Sequence, residues 1–144
     1  MNYLDASFLF SLYFRDANTP AAVALAKGAG SPLLISALCE LETVNAFCVR
    51  VFRKEMSALN MNNAIRDLEA DIGSGILRFR PLPDSAFSRA KVLAQSLTPA
   101  IGVRAADLLH VAAAIELGAK SLFTFDKRQH QTARAAGLKV NSLP

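Results

Sequence analysis

The sequence has no tryptophan, only two tyrosines and two cysteines, and just seven glycines and six prolines among 144 residues. Low glycine and proline contents, with 52% hydrophobic residues, exclude the disordered, collagen-like and low-complexity classes. A chain of this length fits one domain with a single substantial core. We therefore expect residues 1–144 to form one domain.

Long hydrophobic runs are also missing. No apolar stretch reaches the roughly 18 to 20 residues needed to cross a bilayer. No basic segment precedes Asp5, as it would in a signal peptide. The expectation is a cytoplasmic protein with no membrane partner.

The cysteine pair cannot form an intrachain disulfide. Cys39 and Cys48 lie nine residues apart in a predicted helix, which separates them by roughly 13 to 14 Å. A disulfide requires much closer Cα atoms.

Acidic residues are in the minority, with 12 Asp and Glu against 16 Lys and Arg and a net charge of +4. This mild excess suits an anionic partner. The scarcity of Trp and Tyr argues against an extended aromatic platform for stacking single-stranded bases. If a nucleic acid binds, electrostatics must contribute more than stacking.

Strand-like and helix-like segments alternate along the chain. Short apolar runs predict strands over 1–4, 32–36, 76–82, 121–125 and 139–142. Helical periodicity and capping residues predict helices between them, including 36–56, 84–97 and 105–117, with a loop over 98–102. This alternation predicts an α/β fold with a mostly parallel sheet flanked by helices. Ligands of such sheets bind at the carboxyl ends of the strands.

Acidic residues occur where the chain leaves predicted strands. Asp5 follows the first strand and Asp126 the fourth, while Asp107 and Glu42 lie in early turns of helices that can face the same edge. Clustered carboxylates repel one another unless a cation lies between them, and hard oxygen ligands favour Mg²⁺ or Mn²⁺. The pattern indicates a divalent-metal site.

Each acid also has a purely structural interpretation. Asp5 and Asp126 could be helix N-caps, and Asp107 a first-turn acid that complements the helix dipole. Periodicity does not separate Glu42 from Glu40, because both lie at similar angles from the apolar face of their helix. Spacing alone leaves these alternatives open.

Two other enzyme classes place an acid after the first strand. A haloacid-dehalogenase-type phosphatase requires a second Asp two residues after the first, where this chain has Ser7. A receiver domain requires paired acids at the first strand, which are also missing.

Four blocks of sequence together resemble the PIN-domain ribonucleases, and within them the VapC toxins of bacterial toxin–antitoxin pairs. The blocks are Tyr3-Leu4-Asp5-Ala6-Ser7, Leu41-Glu42 with Asn45-Ala46, Arg104 to Ala114 (RAADLLHVAAA), and Leu122 to Arg128 (LFTFDKR). The resemblance covers essentially the whole chain. It implies the strand order 3-2-1-4-5, which makes strands 1 and 4 neighbours.

The resemblance also implies the site. It assigns the metal-binding and catalytic acids to Asp5, Glu42, Asp107 and Asp126, and so prefers Glu42 to Glu40. Further residues expected to support the acids are Ser7, Thr124, Asn45 and His110. Helix capping and strand polarity explain Ser7 and Thr124 about as well, and a histidine such as His110 on an apolar helix is more often a core residue.

The implied activity is Mg²⁺- or Mn²⁺-dependent hydrolysis of RNA phosphodiester bonds, as the toxin of a toxin–antitoxin pair acting on tRNA or rRNA. Without the four acids, 16 basic residues remain against eight acidic ones, a net charge of +8. Candidate RNA contacts are Arg50, Arg53, Lys54, Arg104, Lys127 and Arg128. The alternatives are an RNA-processing nuclease of the same fold and a non-catalytic RNA- or protein-binding module.

Two protein partners are also expected. The toxin resemblance implies a small antitoxin. A mean hydropathy of +0.27 suggests apolar surface covered by another chain, so we expect a homodimer. The phenylalanines of the first half place this contact on the early helices: Phe8, Phe10, Phe14, Phe47 and Phe52.

Overall fold

Five short parallel strands form the central layer of the computed structural model, which describes residues 1–30 and 32–144. Their order across the sheet is β3-β2-β1-β4-β5. The α/β class, the parallel sheet and the strand order are confirmed. The strands are β1 (Asn2–Leu4), β2 (Leu33–Ser36), β3 (Leu77–Arg80), β4 (Ser121–Phe123) and β5 (Lys139–Val140).

Helices supply the crossover connections that parallel neighbours require. They are α1 (Ala6–Tyr13), α2 (Thr19–Gly28), α3 (Ala37–Phe52), α4 (Ala58–Ser74), α5 (Ser85–Ile101), α6 (Ala105–Glu116) and α7 (Lys127–Ala135). Within the described ranges, no helix is both long enough and apolar enough to cross a membrane.

Side-chain caps begin four of the helices. The side chains of Asp5, Ser36, Ser57 and Asp126 each accept a hydrogen bond from the backbone N–H three residues later. Such caps satisfy donors that the first helical turn leaves without an intrahelical partner. The capping interpretation of Asp5 and Asp126 is therefore confirmed, and it leaves open what else these carboxylates do.

Several predicted boundaries were wrong, and among them β3 ends at Arg80 and β5 at Val140, each two residues earlier than expected. Helix α5 continues through Pro99 to Ile101 instead of ending at 97, and Gly102 ends it in the left-handed conformation. Pro99 lies in the last turn, where the carbonyl it leaves without a partner belongs to exposed Gln95 and water can reach it. Helix α3 ends at Phe52, before Lys54 turns the backbone to φ 59°. Strand β4 ends at Phe123, because the N–H of Thr124 donates to a side chain instead of a strand.

Alternating strand residues divide the core into two sides. Tyr3 and Leu34 belong to the cluster packed against α5, α6 and α7. Leu4 and Ile35 belong to the cluster packed against α1, α2, α3 and α4. The sheet is thus the middle of three layers, with both faces covered.

Helical periodicity predicts an apolar face of α3 that includes Leu41, Cys48 and Phe52, but the structure buries a different face. Cys39, Thr43 and Phe47 are fully buried, whereas Leu41 is 66% and Phe52 87% exposed. Apolar residues occur all round this helix, so periodicity could not fix its orientation. The core also accommodates Phe8, Phe10 and Phe47, so most of the early phenylalanines are explained by packing within the chain. Both cysteines, buried Cys39 and exposed Cys48, are free thiols, as expected.

Candidate active site

The carboxyl ends of the central strands open into a cavity of about 240 Å³. All four predicted acids line it, and each comes from a different part of the fold. Strand order explains the convergence, because β1 lies between β2 and β4. The lining residues are Asp5, Ala6, Ser7, Glu42, Arg104, Ala106, Asp107, His110 and Asp126.

Asp5 is the most enclosed of the four acids, with 4% of the residue exposed. Its Oδ1 accepts hydrogen bonds from the Phe8 N–H at 2.9 Å and the Ser7 hydroxyl at 2.8 Å. Its Oδ2 accepts one from the Thr124 hydroxyl at 2.5 Å. Burial nevertheless raises the pKa of Asp5, although these three hydrogen-bond donors oppose the shift. A nearby cation would relieve this desolvation.

Ser7 and Thr124 both support the acids, as the sequence suggested. The Ser7 hydroxyl accepts from the Phe125 N–H at 2.9 Å while donating to Asp5. The Thr124 hydroxyl accepts from the Asp126 N–H at 3.0 Å. These two hydroxyls therefore tie the turn after β4 to the carboxylate after β1.

Asn141 is a supporting residue that the sequence analysis missed. It is 5% exposed, and its side-chain amide bonds both backbone groups of Thr124, at 2.8 and 3.0 Å. This amide replaces the strand pairing that β4 and β5 no longer provide. A polar residue directly after the last strand was the available signal, but its partner depends on the strand register.

Glu42 is held by the imidazole of His110. The two side chains approach to 2.5 Å between Oε2 and Nε2, and the Glu42 side chain keeps 34% of its surface exposed. The hydrogen bond from His110 lowers the pKa of Glu42, with a smaller contribution from Arg104, and partial burial opposes it. His110 is therefore both buried and turned toward the site. Glu40 is not among the lining residues.

Asp107 and Asp126 complete the acidic wall. Arg104 donates to Asp107 Oδ2 at 3.0 Å and lies 4.0 Å from Asp126 Oδ2. Its side chain is 68% exposed, so it lies at the mouth of the cavity. The Oδ1 of Asp126 accepts from the Gln129 N–H at 2.8 Å, which leaves its second oxygen toward the cavity mouth.

The donor chemistry of this cavity fits Mg²⁺ or Mn²⁺. Its acids offer carboxylate oxygens, the ligands that hard divalent cations prefer. Over residues 1–30 and 32–144, no group of three or more Asp, Glu, His or Cys side chains is arranged so that it could hold an ion. Mg²⁺ does not need such a cage, since it keeps several waters and binds directly to one or two carboxylates. The carboxylates therefore suit a partly hydrated cation.

Four of the predicted basic residues lie near the acids, in two places. Arg104, Lys127 and Arg128 line a shallow depression together with Asp126, beside the acidic cavity. Arg50 lines a neighbouring cavity, which shares Ala6, Ser7 and Asp126 with the acidic one. Its guanidinium pairs with Glu55 at 2.6 Å.

Three predicted residues lie away from both cavities. Arg53 and Lys54 are exposed beyond the end of α3 and line neither cavity. Asn45 is exposed one turn after Glu42 and does not line the acidic cavity. The expected support of the acids by Asn45 was wrong, because α3 is rotated so that Glu42 alone reaches the site.

Solved structures with low sequence identity have the same fold. The chain is similar to Mycobacterium tuberculosis VapC20, a sarcin-ricin loop cleaving toxin, with TM-score 0.73, 16% identity and 96% of each chain covered. For FitAcB from Neisseria gonorrhoeae the TM-score is 0.69 at 16% identity, covering 99% of this chain and 97% of that one. For VapBC2 from Rickettsia felis, bound to a DNA fragment from its promoter, it is 0.68 at 16% identity, with both chains fully covered.

The family of this chain follows from its sequence, through a match to a protein-family model. No curated protein matches this sequence significantly. The family model of the PIN domain matches residues 3–135, which include all four acids and nearly the whole chain. The chain therefore belongs to the PIN domain family of nucleases.

Proposed function

We propose that this chain is a divalent-metal-dependent endoribonuclease whose active site is the acidic cavity. The observation that carries the proposal is the convergence of four carboxylates, from four separate segments, on one cavity with basic residues at its rim. Such a set would be costly to keep together without a cation. A non-catalytic binding module has no need of all four acids.

One or two of the carboxylates of Asp5, Glu42, Asp107 and Asp126 would hold the cation directly, and the others would hold it through its waters. A bound Mg²⁺ or Mn²⁺ supplies an activated water and neutralises charge on the phosphate oxygens. Asp5 is fixed by its three donors, so its oxygens keep one position throughout the reaction. No protein nucleophile is required.

The rim residues would bind the RNA backbone. Arg104, Lys127 and Arg128 lie beside Asp126 at the cavity mouth, where they can contact phosphates on either side of the cleaved bond. Arg104 already bridges toward two of the acids, so it can exchange a carboxylate partner for a phosphate. The exposed Arg53 and Lys54 lie beyond the end of α3, away from both cavities, and would contribute less.

The biological role we propose is that of a toxin acting on tRNA or rRNA in the cytoplasm and silenced by a small antitoxin. The similarity in fold to VapC20, FitAcB and VapBC2 supports this role. An antitoxin could insert a basic segment at the open sheet edge, where an Arg side chain would pair with the acids in place of the cation.

Expression in a bacterial host and cleavage assays with purified protein test the proposal together. We expect growth arrest with wild-type protein, no arrest with Asp107→Ala, and Mg²⁺- or Mn²⁺-dependent RNA cleavage that leaves 5′-phosphate ends and stops when EDTA is added. Cleavage in vitro without any effect on growth or translation would contradict the toxin role and favour an RNA-processing nuclease. No cleavage of any cellular RNA by folded, metal-loaded protein would contradict the nuclease itself.

We further propose that the chain forms a homodimer through the exposed face of α3. Leu41, Cys48 and Phe52 follow one another along this face at helical spacing and are all exposed. We expect light scattering at micromolar concentration to give roughly twice 15.5 kDa, and Phe52→Lys to give the monomer. Val92→Lys, on α5 across the sheet and 60% exposed, is the matched control and should stay dimeric. A wild-type particle of 15.5 kDa would contradict the dimer.

A further inference from the structure

A buried chain of hydrogen bonds connects the core of the sheet to Glu42. The Cys39 N–H lies 3.4 Å from the Ser36 Oγ, and that oxygen lies 2.7 Å from the Tyr3 Oη. Tyr3 Oη lies 3.0 Å from His110 Nδ1, and His110 Nε2 lies 2.5 Å from Glu42 Oε2. The three inner side chains are at most 2% exposed, so water does not compete along the chain.

Only one direction of donation satisfies every group. An ionised Glu42 can only accept, so His110 Nε2 carries the hydrogen and, in the neutral ring, Nδ1 is an acceptor. Tyr3 therefore donates to Nδ1 and accepts from Ser36, which in turn accepts from the Cys39 N–H. Each hydroxyl donates once and accepts once.

The reverse direction leaves a buried donor without a partner. If His110 donated from both nitrogens, Tyr3 would accept from it and donate to Ser36. Ser36 would then accept from both Tyr3 and Cys39, and its own hydroxyl would have no acceptor among the residues that the structure describes. A buried donor without a partner costs about 1 to 3 kcal/mol. The hydrogen-bond inventory thus favours a ring that carries its hydrogen on Nε2 and accepts from Tyr3 at Nδ1.

Core packing alone does not explain why residue 3 is a tyrosine. Its ring lies fully buried among apolar residues on the α5–α7 side of the sheet, where phenylalanine would fill nearly the same volume. Burying a hydroxyl is favourable only if it is hydrogen-bonded, and this one is bonded to Ser36 and His110. Tyr3 does not line the acidic cavity, so its hydroxyl can act on the site only through its two partners, and of these His110 contacts Glu42 directly.

We propose that Tyr3 is a positioning residue, whose hydroxyl fixes the tautomer and ring orientation with which His110 holds the Glu42 carboxylate at the cavity. The inference rests on the proposed function only in treating Glu42 as part of a metal-binding site. Partners behind a ligand commonly change metal affinity by about 10- to 100-fold when removed. The effect of the Tyr3 hydroxyl, one residue further away, should lie at the lower end.

The test compares Tyr3→Phe with Tyr13→Phe. Tyr13 is the only other tyrosine in the chain and also donates to a carboxylate, Asp71 at 2.6 Å, but it does not line the cavity. The first readout is the ¹⁵N NMR signature of the histidine rings in metal-free protein. We expect Tyr3→Phe to shift His110 away from the single Nε2-protonated tautomer. His130, the only other histidine, bonds the Asn141 carbonyl through Nε2 at 2.8 Å and should not change.

The second readout is Mn²⁺ binding, followed by electron paramagnetic resonance without RNA. We expect Tyr3→Phe to weaken Mn²⁺ about tenfold and Tyr13→Phe to leave it within about twofold. Unchanged His110 signals in Tyr3→Phe would overturn the proposal, as would weaker Mn²⁺ binding with an unchanged tautomer, since the latter indicates a packing effect. Wild-type protein that binds Mn²⁺ but cleaves no RNA would contradict the proposed function and leave both readouts valid.

If Tyr3→Phe fails to fold, Ser36→Ala tests the same chain one step further from Glu42. It removes the donor to Tyr3 and the side-chain cap of α3 but keeps the Tyr3 hydroxyl that donates to His110. We expect a smaller change of the His110 signals in the same direction and a loss of Mn²⁺ affinity of about two- to threefold. Signals identical to those of wild-type protein in folded Ser36→Ala would overturn the proposal.

Discussion

Asp5 and Glu42 line the same cavity but are held in opposite ways. Asp5 has a short side chain directly after a buried strand, and its three donors come from adjacent backbone and small hydroxyls. Glu42 has a longer side chain on a helix, and one contact with His110 holds it. Burial raises the pKa of Asp5, whereas the hydrogen bond with His110 lowers that of Glu42.

Different features fix the carboxylates of Asp5 and Glu42. At the Asp5 end, the backbone already determines where the oxygens lie, so nearby hydroxyls suffice. At the Glu42 end, the helix leaves several rotamers open, and a chain of side chains reaching into the core selects one. The Asp5 end therefore resists displacement, and the Glu42 end depends on the single contact with His110 and on the side chains behind it.

The largest effect on RNA cleavage should come from removing the charge of Asp5, the more rigidly held of the two carboxylates. We expect Asp5→Asn to reduce RNA cleavage by at least about a hundredfold, because a cation loses its most rigid carboxylate. The fold should persist, since an amide can still accept from the Phe8 N–H. Asp84→Asn, at an exposed helix start without a side-chain cap, is the control and should cleave normally. Unchanged cleavage by folded Asp5→Asn would contradict the site.

A smaller effect on RNA cleavage should follow from removing one of the donors that hold Asp5. Thr124→Val removes the hydroxyl that donates to Asp5 and accepts from the Asp126 N–H. We expect cleavage to fall about tenfold and the free energy of unfolding to fall by about 1 to 3 kcal/mol, because buried groups lose their partner.

The matched control for this change is Thr132→Val. Thr132 is equally buried, but its hydroxyl donates to the Arg128 carbonyl within α7. We expect its cleavage rate to stay within about twofold of wild type. If both threonine variants cleave at the wild-type rate, the tie between the turn after β4 and Asp5 has no role in catalysis.

The smallest effect should appear in the stability of the metal-free protein. Changes at Asp5 and at Glu42 should alter it in opposite directions. Asp5 has a raised pKa, so its contribution to stability is present below its usual value of 3.8 and lost as pH rises through the folded value. Glu42 has a lowered pKa, so its contribution is present above its usual 4.5 and lost as pH falls through the folded value.

Thermal melts in EDTA measure this difference. At pH 7 we expect Asp5→Asn to melt above wild type and Glu42→Gln below it. For Glu42, whose side chain is partly exposed, we expect about 1 kcal/mol, or a few degrees. Both differences should shrink as the pH falls below the usual values of 3.8 and 4.5 and the wild-type carboxyls take up protons. If both variants shifted the melting temperature in the same direction at pH 7, the opposite roles of Asp5 and Glu42 would be contradicted.

Local patterns predicted most of the secondary structure and pointed to the acids that follow strands, Asp5 and Asp126. Strand–helix alternation and the capping residues Asp5, Ser36 and Asp126 were readable because caps and periodicity act over three or four residues. Pro99 shows the limit of this reasoning. A proline usually ends a helix, but here it lies in the last turn, where the cost of the lost hydrogen bond is small.

The choice between Glu42 and Glu40 shows a second limit. Both residues lie at similar angles from the apolar face, so only the family resemblance preferred Glu42. The structure explains the preference: α3 buries Cys39, Thr43 and Phe47, a face that periodicity did not select because the opposite side is apolar too. Asn45, one turn later, was misassigned for the same reason.

By itself, then, the sequence determined the fold class, the places where helices begin and the residue types from which a cation site could be built. The tertiary structure decided which strands are neighbours, how α3 is rotated, and that Tyr3 meets His110, 107 positions away. The physical reason is the distance along the chain over which each interaction acts. Caps and turns depend on hydrogen bonds between near neighbours, whereas strand order and helix rotation depend on how the whole core packs, which no single segment encodes.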